Sequence, residues 1–99
     1  MGRWSQSQLR GGAGVPSALA APILHDDGGE NLSWSWDGAD PFQWILEQSA
    51  DGITAWATFA NPAGSDRAQF GVDPDFFYRI YGSDGSSQVT ATSNVVGPT

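Results

Sequence analysis

One histidine stands in this 99-residue chain, and it stands beside two carboxylates, as His25-Asp26-Asp27. A His–Asp pair can orient an imidazole as a general base, but catalysis also needs a nucleophile within reach and a pocket for substrate. Nothing beside the pair supplies either, so it reads as a solvated junction. Asp26-Asp27-Gly28-Gly29-Glu30 offers oxygen ligands with glycine, as a calcium loop would, without the spaced acids of an EF-hand. Asp73-Pro74-Asp75 reads as a turn, because proline at the second position presets φ and aspartate caps the bend. Paired acids cutting a glycosidic bond need a cleft, which so short a chain has little surface to build. Gly11-Gly12-Ala13-Gly14 follows no strand and opens no helix, so it is no phosphate loop. The expectation is a protein that is not an enzyme, with no cofactor and no metal.

Charge narrows the partners. Acids outnumber bases eleven to four, for a formal net charge of -7, and none of the bases is lysine. No acid precedes Asp26, whereas Arg3 and Arg10 do, so a neutral-to-basic stretch joins an acidic body that holds only Arg67 and Arg79. Nucleic acid is excluded as a partner of that body, since neutralising phosphates needs a clustered basic face. With no cysteine there is neither a disulfide framework nor a thiolate site, and packing alone must hold the fold. No run approaches the roughly 18 apolar residues that cross a bilayer, so no membrane is expected. The stretch Gly14 to Leu24 is broken by Pro16 and Ser17, too weak for an export signal. Gln6 stands where myristoylation wants Ser or Thr.

The elements that must carry these residues are strands. Residues 1–22 hold four glycines and two prolines with no sustained period, the composition of an extended arm. From Ile23 onward apolar residues alternate between turn clusters. Ile23-Leu24 forms a short edge strand; Leu32, Trp34 and Trp36 alternate with serines; Trp44, Leu46 and Gln48 share parity on a third strand. Ser49-Ala50-Asp51-Gly52 is a hairpin signal. Ile53 to Phe59, Arg67 to Val72, Phe76 to Tyr81 and Gln88 to Val96 complete about seven strands. Trp36 and Trp44 are expected in the core. Phe77 and Tyr81 share the face opposite Tyr78 and Ile80, and are either covered by a neighbour or a contact patch.

Over residues 22–96 this order resembles a fibronectin type III domain. Leu32-Ser33-Trp34-Ser35-Trp36 resembles its second strand with the core tryptophan at Trp36, and Trp44 to Gly52 its third strand and turn. Phe77-Tyr78-Arg79-Ile80 resembles its sixth strand, and Ser93-Asn94-Val95-Val96 the close of its seventh. The family's tyrosine corner falls on Phe76 in one register and on Tyr78 in the other. The resemblance implies an all-β, seven-stranded fibronectin type III or immunoglobulin-like sandwich over 23–99, preceded by the arm of 1–22.

An opening such as Met1-Gly2-Arg3-Trp4-Ser5-Gln6, then a glycine-rich stretch and one type III-like domain, resembles small accessory proteins of tailed bacteriophages. The function this implies is a non-catalytic virion structural protein, a capsid decoration or cement protein or a neck or tail accessory, assembled in the host cytoplasm and placed in the virion. Its partners would be capsid or tail proteins, and a second copy of the chain is a further candidate. Contacts are expected from Arg3, Trp4, Leu9 and Arg10 on the arm, since a few aromatic and arginine anchors dominate interface energies, and from Phe77 and Tyr81 on the body. The alternative is a carbohydrate or cell-surface binding module that grips a host glycan through exposed aromatics.

Overall fold

Residues 20–98 are described by a computed structural model. Alternation of apolar and small polar residues produces six strands: β1 Ile23–Asp26, β2 Asn31–Ser35, β3 Gln43–Ser49, β4 Ala57–Ala60, β5 Ala68–Phe70 and β6 Phe77–Ser83. They form two three-stranded antiparallel sheets, ordered β1-β2-β5 and β4-β3-β6. No helix is present among the described residues, and so none is long and apolar enough to cross a membrane.

The inward parity of each strand makes the core: Leu24, Leu32 and Trp34 from one sheet, Trp44, Leu46, Tyr78 and Ile80 from the other, with Val72 between. Trp44 is fully buried and its indole N–H donates to the Gly64 carbonyl at 3.0 Å. Trp34 and Trp36 meet it edge-on, at centroid separations of 6.0 and 5.9 Å, the geometry that the quadrupole of an aromatic ring favours. The loop that carries Gly64 leaves no room for a side chain, because a Cβ there would lie 1.6 Å from the Pro41 carbonyl oxygen.

Several expectations are corrected. Trp34, not Trp36, is the deeply buried tryptophan of β2, at 3 % exposure; Trp36 lies just past the strand end, half-buried, with its N–H on the Ala39 carbonyl. The run expected from Ile53 starts only at Ala57, because Asp51 holds the preceding turn closed: its carboxylate accepts the N–H groups of Ile53 (2.9 Å) and Thr54 (2.8 Å) and the Thr54 hydroxyl (2.7 Å). The fifth strand is shortened to Ala68–Phe70.

Gln88 to Val96 runs beside β6 without becoming a regular strand, touching it through isolated bridges at Ser83–Gln88 and Tyr78–Val96. The reason lies in its hydroxyls. β6 N–H groups that a ladder would give to carbonyls go instead to Ser93 Oγ (from Ile80, 2.9 Å) and Thr90 Oγ1 (from Gly82, 2.9 Å), the local competition with secondary structure that Ser and Thr side chains offer. Asn94 then ties this segment to β1, accepting from Leu24 N and donating to Leu24 O, both at 2.9 Å. Tyr78, buried on the inward side of β6, spends its hydroxyl within the fold. Its hydroxyl accepts the Asp73 N–H at 2.8 Å and donates to Gln48 Oε1 at 3.2 Å.

Candidate functional site

Side chains that the β4-β3-β6 sheet turns away from the core gather the residues best suited to a contact. Ile45 and Glu47 of β3 stand opposite Tyr81 and Arg79 of β6. Arg79 Nε donates to Glu47 Oε1 at 2.7 Å, and the guanidinium lies over the Trp56 ring, 4.2 Å from its centroid. The result is a fixed stack of carboxylate, guanidinium and indole on a rigid sheet. The ion pair is part-buried, with the Glu47 side chain 14 % and the Arg79 side chain 32 % exposed, and the cation–π contact adds about 0.5–1 kcal/mol. Together they pin the rotamers of three side chains in advance of any partner.

Two local features aim Trp56 at Arg79. The Asp51 turn ends at Ala55, whose φ of 56° is left-handed, a conformation that costs a non-glycine residue about 1–2 kcal/mol. The chain then enters β4 with the indole directed back over the sheet. The same turn settles the state of Phe77. Gly52, at φ 73°, sits so close over its ring that a Cβ would come within 2.8 Å, so Phe77 is covered by its own chain. Tyr81, like Phe77, is half-buried, and it pairs across the sheet with Ile45. Burial raises its phenol above the ordinary value, Glu47 adds to the rise, and Arg79 opposes it.

Of the expected contact residues, the structure therefore brings Tyr81 to the candidate face and tucks Phe77 under the Asp51 turn. Arg3, Trp4, Leu9 and Arg10 lie outside the described residues. Ile45, Glu47, Trp56 and Arg79 were not among the expected contacts; only Arg79 shares both strand and parity with Tyr81, while the other three reach this face through strand pairing and the turn before β4. His25 meets Ser35, Nε2 to Oγ 3.2 Å, and not its acidic neighbours. Asp73 closes its turn as expected, accepting the Asp75 N–H at 2.9 Å. Among the described residues no group of three or more His, Cys, Asp or Glu side chains could hold a metal ion.

No family model, no curated protein and no solved structure matches the chain.

Acids are distributed to match. Eleven are present, and with Asp26 and Glu47 in strands, nine lie in the connecting turns. Both ends of the sheet pair are thus strongly acidic, while the face around Tyr81 carries a neutralised pair.

Proposed function

We propose that this chain is a non-catalytic protein-contact module of the fibronectin type III-like kind, serving as a structural component of a tailed-phage virion. Support for the sandwich class comes from strand order. In a constant-type immunoglobulin sandwich the fourth strand belongs to the first strand's sheet; here β4 pairs with β3 in the other sheet, while Gln88–Val96 runs beside β6 as a seventh segment. The Tyr78 contact to Asp73 N has the form of a tyrosine corner.

The observation that carries the contact role is the Glu47–Arg79–Trp56 stack beside Tyr81 and Ile45. Trp, Tyr and Arg are the residues in which interface energy concentrates, and pre-set rotamers lower the entropy lost on docking. The virion setting rests on the sequence resemblance, with the arm residues Arg3, Trp4, Leu9 and Arg10 as a second anchor. Particles lacking the protein, supplied with the purified chain, test the reading by copy number in mass spectrometry and by electron microscopy. Occupancy that falls with Trp56→Ala or Tyr81→Ala supports it. Full occupancy by both variants, or binding to a glycan array and not to particles, rejects it in favour of the carbohydrate module.

A further inference from the structure

Where the described chain begins, a recess of about 150 Å³ opens beside Ile23 and Ser35, which pair across β1 and β2; Ala20, Ala21, Trp36 and Asp37 also line it. The lining is mostly apolar, and Asp37 is its one acid. Its parts are held in place. Trp36 Nε1 donates to Ala39 O at 2.9 Å, the ring stands edge-on to Trp44, and Gly38 lies so close that a Cβ there would come 2.7 Å from the ring. Ala20 O accepts the Ala91 N–H at 2.9 Å, and Asn94 bonds both backbone groups of Leu24, which fastens the chain on the other side. An apolar cavity of this size takes a benzene-sized ring.

We infer that the indole of Trp4 occupies this recess in the free protein, with Arg3 paired to Asp37. Arg3 and Trp4 lie outside the described residues; what points to them is where the described chain begins and the charge that the recess presents. Residues 1–19 lead directly into Ala20, itself part of the lining, and Trp4 is the one aromatic they hold. A reversal at Gly11-Gly12-Ala13-Gly14, where glycine supplies the left-handed conformations of a turn, would set Arg10 opposite Val15 and, counting along both limbs, Trp4 opposite Ala21. At about 3.3 Å per residue each limb spans roughly 20 Å, so Trp4 returns to the recess. Charge favours the same pairing. Asp40, the next acid along, is bound by Arg67, whereas Asp37 has no ion-pair partner among the described residues. No acid precedes Asp26, so the arriving segment brings Arg3 without a competing carboxylate. A second copy is the poorer occupant, because its acidic body is repelled.

Nothing in this pairing depends on the Tyr81 face, which belongs to the other sheet. A short tether presents Trp4 to the recess at an effective concentration in the millimolar range, so a contact of millimolar strength fills the recess about half of the time. A half-filled site shifts the folding equilibrium only about twofold. Removing the arm therefore changes the melting temperature of the body little. On a particle, Trp4 leaves the recess for the partner's pocket, and docking on its own body is the resting state of that anchor.

Paramagnetic relaxation in the full chain tests this, and the absence of cysteine lets a single nitroxide be attached through Gln6→Cys. In the isotope-labelled protein the amide signals of Ile23, Ser35 and Asp37 and the indole N–H of Trp36 should be broadened, while the amides of Arg79 and Tyr81 stay sharp. Adding Trp4→Ala should reduce the broadening several-fold, and so should Asp37→Lys, which meets Arg3 with like charge; circular dichroism checks that both variants fold. Broadening that is absent, spread evenly over both sheets or undiminished by Trp4→Ala overturns the inference. Dependence on Trp4 without dependence on Asp37 overturns the Arg3 pairing alone. Spin-labelled chains mixed with isotope-labelled chains that carry no nitroxide should give no broadening. Broadening at Trp36 in that mixture assigns the recess to the arm of a second copy and overturns the inference as well.

Discussion

Trp44 and Trp34 are both buried tryptophans of the same core, yet only one has a partner for its indole N–H. Trp44 donates to Gly64 O at 3.0 Å, whereas Trp34 Nε1 is buried with no hydrogen-bond partner among the described residues. Replacing either by phenylalanine removes similar volume. At Trp44 the change also deletes a hydrogen bond with a net worth of about 0.5–1.5 kcal/mol. The Gly64 carbonyl itself stays satisfied, because Arg67 Nη1 also donates to it at 2.8 Å. At Trp34 the change instead removes an unsatisfied donor whose burial costs about 1–3 kcal/mol. Urea unfolding of the two variants should therefore place Trp44→Phe below Trp34→Phe by roughly 1.5–4.5 kcal/mol, a gap that is a large part of a small domain's stability. Equal losses, or a larger loss at Trp34, would refute the hydrogen-bond reasoning and with it the placement of the two indoles.

Ser93→Ala leaves the buried Ile80 N–H without its acceptor and should cost about 1–3 kcal/mol in the same assay; a neutral result would mean that the last segment readily supplies a carbonyl. The Asp51 carboxylate is held well below its ordinary value by the N–H groups of Thr54 and Ile53 and the hydroxyls of Thr54 and Ser49. Its stabilisation is therefore complete above about pH 4 and is lost as pH falls through the lowered folded value. Asp51→Asn should flatten the fall in melting temperature from about pH 4 to pH 2, and an unchanged slope would contradict that turn. Deleting residues 1–14 should leave the melting temperature nearly unchanged while lowering incorporation into particles. Early unfolding of the truncated chain would make those residues part of the fold.

Much of the architecture was legible because alternation reports burial directly. Leu32 and Trp34, Trp44 and Leu46, and Tyr78 and Ile80 all occupy the inward parity their spacing requires. Trp36 was misplaced because parity does not say where a strand ends, and β2 ends at Ser35. Gln88 to Val96 misled for a different reason. Its β-branched residues favour a strand, but two of its hydroxyls, on Thr90 and Ser93, take the β6 N–H groups that define one. On the candidate face, Tyr81 could be read from β6 alone. Arg79 and Glu47 required the β3–β6 register, and Trp56 required the turn that Asp51 and Ala55 shape, neither of which is a local property of the sequence.

The most direct test of the Tyr81 face is a comparison of two aromatic sites, one exposed and one half-buried against Arg79. Phe42, 71 % exposed just before β3, has the parity opposite to Ile45, while the Trp56 ring lies over Arg79 within the proposed contact. Copy number on particles should stay at the parental level for Phe42→Ala and fall several-fold for Trp56→Ala, with both variants folded by circular dichroism. Full occupancy by Trp56→Ala together with loss by Phe42→Ala would contradict the account and move the contact to the acidic end of the sandwich.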